Sequence, residues 1–268
     1  MQDNNRPSPA EDLALLASAA RSAGAIALRY FQQSPKVWLK PGNSPVSEAD
    51  LAVDDFLKAI LLKERPHYGW ISEESIDDRP TQPYERYFVI DPIDGTRGFL
   101  SGKRQWCISL AIVENGQPIA GVLKCPALDE FYEASLHAGA KLNGERLETA
   151  PNRCAHLPLL SSPAVITNKL PPEFLEKVEL VASAPSLAYR LAMLAKAALD
   201  IVLIRPDCHD WDIAAADIIL LESGARLVDY RGITVQYGQA PFSHRFLMAF
   251  RKPQLKTMLD IVAAAKLS

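Results

Sequence analysis

No part of this sequence runs uninterrupted through the roughly 20 apolar residues that a membrane span needs. The opening Met1-Gln2-Asp3-Asn4-Asn5 is polar and holds no secretory core. Cysteine is scarce: Cys107, Cys125, Cys154 and Cys208 are scattered, with no C-x-x-C pair and no histidine at zinc-finger spacing. The plain reading is buried, reduced thiols rather than a disulfide framework or a zinc module. A charge excess is missing too. Lys and Arg number 29 against 32 Asp and Glu, a net −3, so there is no general pull toward nucleic-acid polymers or anionic membranes. Small anionic ligands remain open, because they answer to local charge. Repeats and low-complexity tracts are also absent. The expectation is a soluble, cytoplasmic protein that works on small molecules.

What is present is ordinary globular material. The chain has 268 residues, 48% hydrophobic and 23% charged, enough for one large domain or two modest ones with a real core. Ser8-Pro9-Ala10-Glu11 predicts a helix start, with Ser8 as N-cap, Pro9 at N1 and Glu11 closing a capping box. Leu13, Leu16, Ala20, Ala23 and Ala27 carry that helix to about Gln33. A loop over Ser34 to Pro45 follows, and Ser47 caps a second helix that stops before Pro66. Tyr87-Phe88-Val89-Ile90 reads as a buried strand ending at Asp91-Pro92. Cys107 to Glu114, Pro118 to Lys124 and Glu130 to Ala134 read as strands, with turns at Asn115-Gly116 and Asn143-Gly144.

Pro151 to Pro158 marks a seam between an N-terminal α+β subdomain, 1–150, and a C-terminal α/β subdomain, 151–268. In the second half, Leu159 to Ile166, Ile201 to Ile204, Arg226 to Tyr230 and Arg245 to Phe250 read as strands. Pro172 to Val178, Leu187 to Leu199, Trp211 to Ser223 and Pro253 to Leu267 read as helices, the third closed by Gly224 at C′. The fold class is mixed α/β, as two packed subdomains.

Four acidic elements invite chemistry, and each has a plain alternative. Asp91-Pro92-Ile93-Asp94-Gly95-Thr96 sets two carboxylates three residues apart at a strand end, able to converge on one hard cation such as Mg²⁺. Its Gly95 and Thr96 amides, if they open a helix, offer an anion site. An acidic Asx turn is the alternative. Glu73-Glu74-Ser75 leaves a short apolar run and could be a solvated pair. His209-Asp210-Trp211-Asp212 starts a helix and could merely cap it. Asp50, three residues after Ser47, could merely close a capping box.

Taken together, these elements resemble the inositol monophosphatase superfamily. Lys40, then Ser44-Pro45-Val46-Ser47-Glu48-Ala49-Asp50, Ser72-Glu73-Glu74-Ser75, Asp91-Pro92-Ile93-Asp94-Gly95-Thr96 and Trp211-Asp212 occur in that superfamily's order, over about residues 12 to 250. The resemblance implies a layered αβαβα sandwich and a phosphomonoesterase using two or three Mg²⁺ ions, typically sensitive to Li⁺. It implies that Asp91 bridges two metals, that Glu73 and the Ile93 carbonyl complete one site, and that Asp94 and Asp212 complete the other. Thr96 and Asp50 would orient and deprotonate the attacking water, with Glu73 assisting a third ion. Gly95, Thr96 and Asp212 would also contact substrate.

For the substrate, Asp91 to Gly102 is more similar to the superfamily's 3′(2′),5′-bisphosphate nucleotidases than to its inositol phosphatases, the departure from the latter being Gly98. Arg205 stands where inositol enzymes tend to carry a carboxylate, and a guanidinium suits a second phosphate. Ser186-Leu187 resembles a stretch lying beside the nucleotide sugar. Arg97, Lys103, Arg104 and Arg190 are read first as surface cations. The leading expectation is a nucleotidase converting adenosine 3′,5′-bisphosphate to AMP and phosphate. The alternatives are an inositol-1-monophosphatase and a non-catalytic nucleotide- or polyol-binding regulator. The resemblance allows a monomer or a homodimer.

Overall fold

A computed structural model describes residues 6–40, 44–75, 84–147, 157–251, 259–261 and 265. Both predicted capping boxes form. Helix α1 (Pro9–Tyr30) is closed by Ser8 and Glu11, and α2 (Glu48–Glu64) by Ser47 and Asp50. Between them lies a two-stranded ribbon of β1 (Val37–Leu39) and β2 (Pro45–Ser47). These helices bury Leu16, Ala20, Ala23, Val53, Leu57 and Leu61 against one face of a seven-stranded sheet.

That sheet runs in spatial order from β3 (Gly69–Ser72) through β4 (Arg86–Asp94), β5 (Cys107–Glu114), β6 (Gln117–Cys125), β7 (Glu130–Ser135) and β8 (Gly139–Leu142) to β9 (Glu145–Arg146). Only the β3–β4 pair is parallel among its neighbours. Side chains alternate across it as strand geometry requires. On β5, Ile108, Leu110 and Ile112 face α1 and α2, whereas Cys107, Ala111 and Val113 face the other way. Burial on both faces explains why these strands read as continuous apolar runs.

A second sheet of five strands carries, in spatial order, β11 (Glu179–Leu180), β10 (Leu159–Ser161), β12 (Ile201–Ile204), β16 (Leu247–Arg251) and β14 (Ala225–Asp229). Two further short strands, β13 (Cys208–His209) and β15 (Ser243–His244), pair beside it. Helices α6 (Leu187–Ala195) and α7 (Asp210–Glu222) share one core with the inner faces of both sheets. Helix α7 therefore has no polar side: Ile213, Ala214, Ala215, Ala216, Ile218, Ile219 and Leu220 are all buried. Beyond the second sheet, Ile166 of α4 (Ala164–Thr167), Phe174 and Leu175 of α5 (Pro172–Leu175), and Ile261 cover its outer face. A five-residue α3 (Thr96–Leu100) follows β4. The result is the expected αβαβα layering.

Several boundaries differ from expectation. Strand β4 continues to Asp94, with a register shift between Asp91 and Asp94 where Pro92 withholds a ladder N–H. Strand β10 stops at Ser161 instead of Ile166, because Pro163 ends the ladder and starts α4. Helix α1 stops at Tyr30 rather than Gln33, with Gln32 at φ 62°. Helix α5 stops at Leu175 and α6 at Ala195, ahead of Ala197 at φ 64°. Cys154, most of the Pro151–Pro158 seam and most of the Pro253–Leu267 helix lie outside the described residues. Cys107, Cys125 and Cys208 are buried free thiols. Among the described residues no helix is long and apolar enough to cross a membrane.

Helix α7 lies so close to β6 that a Cβ at Gly121 would sit 2.5 Å from Ile218 Cγ2 and 2.9 Å from the Ala215 carbonyl oxygen. Gly121→Val should therefore destabilise the fold by about 1–3 kcal/mol through overpacking. Denaturant unfolding measures this directly, and an unchanged midpoint would refute the close approach.

Candidate active site

The alternation along β4 decides where its carboxylates go. Tyr87 and Val89 belong to the face packed on α6 and α7, so Asp91, two residues on, projects to that same side. Ser109, opposite Asp91 on β5, donates its hydroxyl to the Trp211 carbonyl at 3.1 Å and fixes the start of α7 there. At the irregular end of β4, Asp91 Oδ1 accepts from the Ile93 amide at 3.0 Å. Gly95 then turns the chain at φ 92°, a conformation that favours glycine, and caps α3.

Asp94 is held from the second half of the chain. Its Oδ2 accepts from the Ser186 hydroxyl and from the Ala188 amide at 2.7 Å, both at the start of α6. Ser186 is fully buried and its oxygen also caps α6 through the Tyr189 amide at 2.9 Å. The side chain expected beside the substrate is engaged here in supporting Asp94. Gly98 also has a packing reason, since a Cβ there would lie 2.7 Å from Pro185 Cβ.

Helix α7 delivers Asp212. Its carboxylate accepts from the His209 amide at 2.7 Å, so the helix-capping alternative is realised. The same residue reaches the β4 carboxylates: oxygens of Asp91, Asp94 and Asp212 lie within 4.8 Å of one another. Asp210 does not join them. It is buried behind the helix start, accepting from the Gly238 amide at 2.7 Å and lying 2.6 Å from His244 Nε2.

This crowding has an electrostatic consequence. Burial, then the charges of Glu73, Asp94 and Asp212, raises Asp91 well above the usual carboxylate range. Burial and Asp94 raise Asp212 likewise. Asp94 is pushed up to about 6 by burial, with Ser186, Ala188 and Arg190 pulling it back. Three hard oxygen donors that disfavour their own ionisation fit a divalent cation such as Mg²⁺.

Asp50 satisfies both of its readings with different oxygens. Its Oδ2 accepts from the Ser47 amide at 2.8 Å and the Ser47 hydroxyl at 2.5 Å, closing the capping box. Its Oδ1 lies 3.1 Å from Thr96 Oγ1, which is also 3.0 Å from the Ile93 carbonyl oxygen. Burial raises the Asp50 pKa.

Glu73 stands at the end of β3 but outside the group of three. Its carboxylate is 2.7 Å from Lys40 Nζ, and the same ammonium lies 2.8 Å from Glu74. Burial works against the Lys40 charge, yet Glu73 and Glu74 outweigh it and raise its pKa. Glu74 is pushed up to about 7 by burial and by Glu73. Glu73-Glu74 is therefore no solvated surface pair. Beneath it, Asp54 accepts from the Ser72 and Ser75 hydroxyls, each at 2.5 Å. That support escaped the sequence reading, although Asp54 repeats Asp50 one helical turn on.

A cleft of about 470 Å³ opens beside the three carboxylates, lined among others by Asp94, Asp212, Leu187, Arg190, Arg205 and Cys208. Arg205 is exposed at the end of β12. Arg190, read as a surface cation, is instead only 9% exposed on α6. Its helical position gave the signal: it lies one turn from Ser186 on a helix whose other residues are almost all apolar.

Comparison with known proteins agrees with this geometry. A sequence model of the inositol monophosphatase family matches residues 9–259. An inositol-1-monophosphatase of Mesorhizobium japonicum is 31% identical, over 90% of this chain and 96% of its own. A histidinol-phosphatase of Mycobacterium tuberculosis is 31% identical, over 85% and 91%. A 3′(2′),5′-bisphosphate nucleotidase of Aggregatibacter actinomycetemcomitans is 29% identical, over 85% and 89%. Among solved structures, an IMPase of Thermotoga maritima superposes with a TM-score of 0.83 at 26% identity, covering 96% of this chain and 98% of that one. The chain belongs to the inositol monophosphatase family, whose members are metal-dependent phosphatases.

Proposed function

We propose that this phosphatase uses Mg²⁺ and prefers a nucleoside 3′,5′-bisphosphate, releasing the 3′-phosphate to water. The observation that carries the reading is the convergence of Asp91, Asp94 and Asp212 beside a cleft lined by Asp94 and Asp212 and also by Arg190 and Arg205. An ester phosphate fits the cation site, and guanidinium groups in the same cleft fit a second phosphate.

In this proposal Asp91, Asp94 and Asp212 hold Mg²⁺, with Glu73 and the Ile93 carbonyl completing the set. Once bound there, Mg²⁺ supplies positive charge to the phosphoryl oxygens and lowers the pKa of water. The chain's own groups do the rest. Thr96 Oγ1 accepts a hydrogen bond from the attacking water, and Asp50 Oδ1 receives the proton through that hydroxyl. The raised pKa of Asp50 makes it a stronger base once ionised. Backbone amides of Gly95 and Thr96 steady the phosphoryl oxygens. Lys40 holds Glu73 at the rim by their 2.7 Å contact.

Phosphate release should be compared at equal concentrations of adenosine 3′,5′-bisphosphate, inositol 1-phosphate, fructose 1,6-bisphosphate and histidinol phosphate. The adenosine compound should show the highest kcat/KM, and all activity should vanish with EDTA. A preference for inositol 1-phosphate or histidinol phosphate refutes the substrate assignment while leaving the carboxylate roles standing. Asp91→Asn should reduce kcat by more than about 100-fold with the fold intact by circular dichroism, because changing even the supports of a ligand costs 10–100-fold. Substantial residual turnover would sink its role as a ligand. Asp212→Ala should shift half-maximal activation to higher Mg²⁺, and an unchanged titration curve would remove it from the set.

A further inference from the structure

Arg190 is the one arginine side chain described as buried without a hydrogen-bond partner for two of its nitrogens, Nε and Nη1. No ion pair among the described residues involves it either. It sits in the first turns of α6, two residues beyond Ala188, whose amide holds Asp94. Asp94 acts on it by charge and not by contact, and the hydrogen bonds of Asp94 Oδ2 run instead to Ser186 and Ala188. Arg205 lies near enough for its like charge to act against that of Arg190. Arg190 is among the residues lining the same cleft as Asp94 and Asp212, with its Nε and Nη1 buried behind that lining.

A buried guanidinium lacking partners is unfavourable unless something else supplies oxygens. The demand is specific in kind. Five donors in a planar fork match the several charged oxygens of a phosphate, whereas a neutral hydroxyl offers a single uncharged oxygen. The demand is specific in place as well. An ester whose reacting phosphate met a cation held by Asp91, Asp94 and Asp212 would have this cleft beside it for its remainder.

We infer that Arg190 is the specificity-determining residue of this enzyme, binding a second phosphate carried by the substrate, with exposed Arg205 as an auxiliary at the rim. This rests on the phosphatase reading above but not on the substrate being a nucleotide.

The test measures kcat/KM for two matched pairs in wild type, Arg190→Met and Arg190→Lys. One pair is adenosine 3′,5′-bisphosphate with adenosine 3′-monophosphate. The other is fructose 1,6-bisphosphate with fructose 1-phosphate. Wild type should prefer the bisphosphate at least ten-fold in one pair or both. Arg190→Met should bring that ratio close to one, through a higher KM for the bisphosphate rather than a lower kcat. It should also hold or raise Tm, because an apolar chain of similar length removes the unpartnered donors. Arg190→Lys, which keeps the charge but loses the fork, should retain an intermediate ratio and decides the matter if the methionine variant fails to fold.

Three results overturn the inference: a wild type without bisphosphate preference in either pair, a ratio unchanged in the variants, or equal losses for both members with a greater Mg²⁺ requirement. The last would make Arg190 a support for Asp94. A preference confined to the fructose pair would refute the nucleotide reading alone and leave Arg190 in its role.

Discussion

Everything distinctive in this molecule follows from gathering three carboxylates, Asp91, Asp94 and Asp212, where their oxygens lie within 4.8 Å of one another. Removing such groups from water already disfavours their charges, and mutual repulsion adds to it. The surrounding elements hold them in place despite this. Two helices point their amino-terminal ends at the group: α6 gives Asp94 the Ala188 amide, and α7 gives Asp212 the His209 amide. Partial positive charge at helix starts lessens the repulsion without filling the centre of the group. What remains is a demand for a cation that the fold does not meet from its own lysines or arginines. Lys40 is engaged by Glu73 and Glu74, and Arg190 acts on Asp94 by its charge without pairing with it.

Holding Asp212 against Asp91 also explains the layering. The two residues come from opposite halves of the chain, so the helix bearing one must lie flat on the sheet bearing the other. Helix α7 does so over Gly121, close enough that no side chain fits between them. Its far side supports the second sheet, which leaves it apolar all round. The same packing brings Ser109 to the Trp211 carbonyl, so the sheet and the helix start are joined next to the carboxylates. Packing and chemistry share one contact surface here, and for that reason a glycine remote from any reaction governs the position of Asp212.

The sequence made the local elements legible where local physics decides them. Ser8 with Glu11 and Ser47 with Asp50 announced both capping boxes, and Asn115-Gly116 announced the hairpin between β5 and β6. The hexapeptide from Asp91 to Thr96 and the later Trp211-Asp212 marked the candidate site through their joint resemblance to the family, since each alone reads equally as an acidic turn or a helix cap. Contacts between distant segments were less legible. Nothing near Glu73 predicts that Lys40 reaches it from another ribbon, and nothing near Ser186 predicts that its hydroxyl turns inward to Asp94. Arg190 was hardest, since an arginine in a helix is normally at the surface. Its burial follows from the placement of α6 against both sheets, and the local trace of that is the almost wholly apolar character of the rest of the helix.

That burial joins the two halves of the functional argument. The cleft contains carboxylates crowded beyond what they tolerate and a guanidinium short of partners, close enough to feel one another. A protein shaped only for stability would let them pair. Here Ser186 and Ala188 occupy Asp94 Oδ2, and no ion pair among the described residues joins Arg190 to any carboxylate. Keeping the opposite charges apart leaves two unmet demands side by side, one for a cation and one for an anion. A phosphate ester accompanied by its divalent cation, and carrying a further phosphate, meets both at once. Either component alone would leave one demand standing, so the separation itself favours substrates that bring the two together.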